Sequence, residues 1–205
     1  MRDSKKQARQ DAIIAASYEV LENQGYAGAS MLRIAKAAKA SNETLYRWYG
    51  DKGGLFEAMV RENAAETRAL LEPVITGEQD ARTTLAEVSP VFLRMILSNR
   101  AIALNRAAAA DTSGELGKAI AAGGRDQIGP LIVQLLQRLP GADYHAPATL
   151  FDWYMAVLVG DLQIRRVIGT LPPLTEAEIA ARCAAAHRAF FHLVSLSPSD
   201  GSMPG

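Results

Sequence analysis

The chain has 205 residues, 22 Lys/Arg against 22 Asp/Glu, and 49% hydrophobic residues. That length fits one compact domain, or a small domain joined to a larger one, and so much apolar character excludes a disordered chain. A single cysteine excludes an intramolecular disulfide framework and points to a cytoplasmic setting; no apolar run nears the roughly 18 residues of a membrane helix.

Ala (36) and Leu (22) dominate over Val (10), Ile (12) and Thr (9). Those are helix formers outnumbering strand formers, so an all-α fold is expected. Met-Arg-Asp-Ser-Lys-Lys opens the chain with no apolar core behind it, so no signal peptide is expected. Residues 1–8 are polar and expected to be mobile. A first helix is predicted from about Gln7 to Asn23, burying Ile13, Ala16, Ser17, Val20 and Leu21, with Gly25 as a left-handed C-cap.

Ser30 caps a short second helix, Met31 to Ala38, with Met31, Ile34, Ala35 and Ala38 inward. Ser41 caps a third, Asn42 to Tyr49. Asp51 caps a fourth from Lys52 to about Val74, with a stripe of Phe56, Met59, Val60, Asn63, Leu70 and Val74, ended by Pro73 and Gly77. Five more helices are predicted at about 79–97, 99–110, 115–139, 147–169 and 175–195. Pro90 should kink or split the first of these, and the Ser/Pro/Gly-rich tail from Ser197 should be flexible.

Charge is unevenly placed. Residues 1–55 hold nine Lys/Arg and six Asp/Glu, while the remainder carries the matching acidic excess. A basic head suggests a polyanionic partner. Two short helices around a tight turn, packed on a longer first helix, describe a helix-turn-helix, in which the second short helix enters the major groove. In the third helix Leu45 and Trp48 face the core, and Asn42, Thr44, Arg47 and Glu43 face outward.

The ordered set Tyr26-Ala27-Gly28-Ala29-Ser30, Ile34-Ala35-Lys36-Ala37-Ala38, Ser41, Thr44-Leu45-Tyr46-Arg47-Trp48-Tyr49, Asp51-Lys52 and Leu55-Phe56 resembles the TetR family of repressors over about residues 10–60. The resemblance implies an all-helical homodimer of about nine helices per chain. Residues 1–55 would form the helix-turn-helix domain, with the motif at about 30–50. Residues 56–196 would bind ligand and dimerise through helices at about 147–169 and 175–195, and 197–205 would be a flexible tail. The partners implied are palindromic double-stranded operator DNA and a small-molecule effector, with no membrane.

By the same resemblance Tyr46 and Lys52 match phosphate-holding positions, Asn42, Thr44 and Arg47 groove-facing ones, and Ser30 and Arg33 the bracing helix. Chemistry agrees independently. Lys52 opens a helix whose free N–H groups attract phosphate, and Asn and Arg make bidentate contacts with adenine and guanine. Two departures stand out. Lys39 replaces the usual turn glycine, at a cost on the order of 1 kcal/mol if its backbone is left-handed, and offers a further phosphate contact. Glu43 replaces a small residue; it either accepts from cytosine N4 or favours the helix N-terminus. Ser41 completes the candidate DNA-binding set. Gly53-Gly54 soften the first turn of the fourth helix, either as a hinge or as tolerated drift.

In the body, Phe92, Met95, Asn105, Trp153 and Tyr154 are candidate effector contacts, and Arg94 and Arg106 are candidates for an anionic ligand. Bulky apolar lining suits a hydrophobic effector. Leu150, Trp153, Tyr154, Val157, Ile164 and Ile168 form a stripe in 147–169. Asp161 falls within it, buried and paired with Arg165 at a dimer seam or touching ligand. The last helix buries Ile179, Cys183, Ala186, Phe190 and Val194. Cys183 and His187 share a face and, doubled by a two-fold axis, could bind zinc, but a small core Cys and a hydrogen-bonded His are the ordinary reading. No metal and no cofactor is therefore expected.

An enzyme is not expected: His145, His187 and His192 lie in no nucleophile pattern, and no P-loop or dinucleotide fingerprint is present. The expected function is a ligand-responsive transcriptional regulator, released from its operator by the effector. An activator, a ligand-free architectural DNA binder and a dimerisation scaffold are the alternatives.

Overall fold

The computed structural model describes residues 2–76 and 79–196. They are all-helical, with no strand among them. The helices are α1 (Arg2–Gly28), α2 (Met31–Ala37), α3 (Asn42–Tyr49), α4 (Lys52–Thr76), α5 (Ala81–Leu97), α6 (Asn99–Ala109), α7 (Glu115–Ile120), α8 (Asp126–Gln137), α9 (Pro147–Leu158), α10 (Leu162–Val167) and α11 (Glu176–Ser195). A π-helical segment, Ala121–Arg125, joins α7 to α8, and a 3-10 turn, Ala142–Tyr144, precedes α9.

The chain divides into two compact units. The first comprises residues up to Asn63 together with Asn99–Arg125; the second comprises Ala64–Ser98 and the residues from Asp126 onward. Ile13, Ile34, Leu45, Leu55, Phe56, Met59, Leu104 and Leu116 are buried in the first core. The second core gathers Leu71, Leu85, Phe92, Leu93, Leu136, Leu150, Tyr154, Leu158 and Phe190. In the second unit α9 packs on α8 and α11, and α5 packs on α11, α10 and α8.

Several sequence expectations change. The first helix begins at Arg2, ahead of the expected start at Gln7. Gln7 Nε2 donates to Asp11 Oδ1 at 2.8 Å, an i,i+4 bond within that early part of the helix. Gly25 has φ 66° and ψ 177°, a conformation that interrupts α1 and is essentially confined to glycine, and not the left-handed helical cap that was expected. In α4 the inward residues beyond Val60 are Ala64, Thr67 and Leu71, whereas Leu70 is exposed and Asn63 half-buried. Pro73 does not end α4, which runs on to Thr76. The Val74 side chain and the tail from Ser197 lie outside the described residues.

Pro90 neither splits nor ends α5. One residue before it, Ser89 Oγ donates to Leu85 O at 2.5 Å. The expected 115–139 helix is α7, the π segment and α8. The segment sits where glycine permits a close crossing: a Cβ on Gly123 would lie 2.5 Å from Glu57 O of α4. The expected 147–169 helix is broken at Gly160, whose φ of 51° is outside the right-handed helix. Asp161 consequently precedes α10 and is exposed in the single chain; its carboxylate is 3.9 Å from Arg165 Nη1, the pair that was expected. Ile164 and Ile168 also leave the stripe and are 56% and 63% exposed.

Candidate nucleic-acid interface

The head is built on three side-chain caps. Ser30 Oγ accepts from Arg33 N at 3.3 Å and starts α2. Ser41 Oγ accepts from Thr44 N at 3.1 Å and starts α3. Asp51 Oδ1 accepts from Gly54 N at 2.8 Å and starts α4. Between α2 and α3 the chain turns at Lys39, whose φ of 50° is the only positive value at a non-glycine among the described residues. The left-handed turn is therefore present, occupied by a residue with a Cβ.

Leu45, fully buried, anchors α3, with Trp48 and Tyr49 half-buried beside it. Glu43, Tyr46 and Arg47 are exposed on the opposite side, with Tyr46 50% accessible. Ser30, Arg33, Lys39 and Ser41 are exposed as well. Thr44 is half-buried, and its Oγ1 is 2.7 Å from Ser41 Oγ, so the hydroxyl is shared with the cap. Arg33 Nη1 donates to Gln24 Oε1 and to Gly28 O, which ties the guanidinium to the end of α1. Asn42 is half-buried, and its Oδ1 is shielded from solvent with no hydrogen-bond partner. A bidentate contact with adenine would require this amide to turn outward first.

Lys52 is held by a residue to which sequence reasoning gave no role of its own. Its Nζ donates to Tyr26 O at 3.2 Å and lies 3.8 Å over the Tyr26 ring. Tyr26 is buried, meets Phe56 edge-on at 5.0 Å, and its Oη donates to Glu115 Oε2 at 3.4 Å. Burial, then the negative charges of Glu115, Asp111 and Asp51, push the Tyr26 phenol up to about 12. The aromatic before Ala27 in the motif was the available signal for Tyr26; Glu115, nearly ninety positions away, gave none. Gly54 is a second surprise. A Cβ there would lie 2.1 Å from Tyr49 O, so glycine is needed where α4 leaves α3.

The candidate effector contacts do not all come together. Phe92 and Tyr154 are buried in the second core, and Met95 and Trp153 are half-buried against it. Asn105 belongs to the first unit, where its Nδ2 donates to Ala101 O at 2.8 Å on its own helix. Tyr154 Oη is 2.9 Å, and His187 Nε2 2.7 Å, from Ser89 Oγ. Ser89 gives its one proton to Leu85 O, so it accepts from both, and Nε2 carries the imidazole hydrogen. Burial lowers the His187 pKa and raises that of Cys183. Arg94 pairs with Glu176 at 3.2 Å in solvent.

A head with two short capped helices about a left-handed turn defines a helix-turn-helix protein. Residues 13–59 match the family described as "Bacterial regulatory proteins, tetR family". The fold of the whole chain is that of TetR-family transcriptional regulators. It is similar to a TetR transcriptional regulator from Agrobacterium tumefaciens at 25% identity, covering 90% of this chain and 93% of that one, TM-score 0.69. The flavonoid-responsive regulator FrrA is 22% identical over 91% of this chain and 97% of its own, TM-score 0.65. FadR from Bacillus subtilis, solved with stearoyl-CoA, is 15% identical over 87% and 96%, TM-score 0.63. No curated protein matches the sequence.

Proposed function

We propose that the chain is a ligand-responsive transcriptional repressor that leaves a palindromic operator when a small hydrophobic effector binds. Residues 1–55 read DNA, residues 56–196 hold the effector and pair two copies through 147–169 and 175–195, and the protein works in the cytoplasm. One observation carries the reading: α3, anchored by Leu45, exposes Tyr46 and Arg47 between two cationic positions, Lys39 and Lys52. Tyr46 and Lys52 hold phosphate, and Arg47 reads a base edge. Glu43, Thr44 and Asn42 modulate that contact.

The body supports a hydrophobic effector by the apolar company of Phe92, Met95, Trp153 and Tyr154. FrrA and FadR, named for flavonoid response and crystallised with an acyl-CoA, share that fold. No catalytic step is needed. Effector and DNA favour different arrangements of the protein, so each weakens the other's binding by the same factor. No described helix is long and apolar enough to cross a membrane.

The test enriches genomic fragments on the purified protein and titrates the best one against wild type and Tyr46→Ala/Lys52→Ala at several salt concentrations. Selective binding that falls steeply with salt and is lost in the double variant supports the reading. Weak, unselective binding that is equal in both proteins ends it.

A further inference from the structure

We propose that Glu115 is a positioning residue for DNA binding, its carboxylate competing through Tyr26 with the DNA phosphate for the Lys52 ammonium. This rests on the DNA-binding reading above. Lys52 has one bond to Tyr26 O and otherwise faces the Tyr26 ring. The far end of that ring donates to Glu115. A phenol that donates to a carboxylate carries more electron density, and the ring face becomes a better seat for a cation. Glu115 therefore strengthens the hold on Lys52 without touching it.

The backbone that carries Glu115 is fixed in place. Asp111 accepts from Ser113 N at 3.0 Å, Ser113 Oγ at 2.6 Å and Leu116 N at 3.0 Å, while Glu115 N donates to Ser113 Oγ at 3.3 Å. This turn delivers Glu115 at the first residue of α7. Lys52, Asp51, Glu57, Glu115 and Lys118 line one open cleft of about 510 Å³ in the first unit. Of the three carboxylates there, Glu57 pairs with Arg61 and Asp51 caps α4, while Glu115 reaches the Lys52 seat through Tyr26.

Glu115→Gln removes the charge and keeps an oxygen that accepts from Tyr26 Oη. Binding to the enriched operator fragment is measured for wild type, Glu115→Gln, Lys52→Ala and the double variant, at low and high salt. An unchanged melting curve for Glu115→Gln establishes that its fold is intact. We expect Glu115→Gln to bind roughly two- to five-fold more tightly at low salt, with the gain fading as salt rises. The gain should vanish in the Lys52→Ala background. Unchanged or weaker binding by Glu115→Gln overturns the proposal alone, as does a gain that survives without Lys52. A wild type that binds no DNA selectively overturns the underlying reading with it.

Discussion

Lys39 combines a backbone liability with an exposed cation in the turn before α3. Its φ of 50° places a Cβ in a region that disfavours it. Lys39→Gly should relieve that strain at some entropic cost, leaving a net stabilisation of about 0.5 kcal/mol in urea unfolding. The same variant should lower the salt dependence of operator binding by about one phosphate contact. Gly53 and Gly54 separate under the same test. Gly54→Ala forces a Cβ against the Tyr49 carbonyl and should destabilise by about 1–3 kcal/mol. Gly53→Ala meets only Asp51 Oδ1 at 3.3 Å and should be neutral or slightly stabilising. Close packing thus accounts for Gly54, whereas Gly53 has no comparable contact. His187 supplies a pH signature. Burial holds its folded pKa below the ordinary 6.5, so the unfolded chain binds the extra proton first. Its contribution is intact above that value and is lost as pH falls from there toward the folded pKa. The urea midpoint should drop as pH falls below about 6.5, and His187→Gln, which can still donate to Ser89, should flatten that drop.

At the scale of elements, what was legible followed from local chemistry. Ser30, Ser41 and Asp51 announce α2, α3 and α4 because a cap is decided within three residues. The buried stripe of α11 was equally plain, and its start is fixed by a capping box between Thr175 and Glu178. What was illegible depended on distant partners. Nothing near Gly123 says that Glu57 O will lie against it, and so the π segment was read as continuous helix. Gly160 and Asp161 were read as lying inside one continuous helix because a glycine within a helical pattern is often tolerated. Of the candidate site, the exposed face of α3 was readable from spacing, whereas the inward turn of Asn42 and the seat of Lys52 on Tyr26 were not. Two glycines test the π segment. Gly123→Ala should cost about 1–3 kcal/mol, whereas Gly117→Ala, with open space around it in α7, should stabilise by up to about 1 kcal/mol. Melting curves of the two variants decide it.

For the molecule as a whole, the proposed pairing of two copies places weight on α10. Ile164 and Ile168 are largely exposed in the single chain, within the segment expected to dimerise. Ile164→Asp/Ile168→Asp should shift the protein to monomer in sedimentation and weaken operator binding while leaving α3 untouched. Equal sedimentation of variant and wild type would remove α10 from the interface.

The first unit is stitched from two stretches of chain, and this governs how the protein is born. The head's core includes Leu104, Leu116 and Ala119, which emerge from the ribosome well after α3 and the start of α4. At ~5–20 residues per second, the interval between Asn63 and Arg125 lasts roughly 3–12 s. Through that interval α1 to α3 have their basic side chains but lack part of their supporting core. On the proposed DNA-binding reading, the complete core that supports α3 arrives late in synthesis, after residues up to Arg125 have emerged.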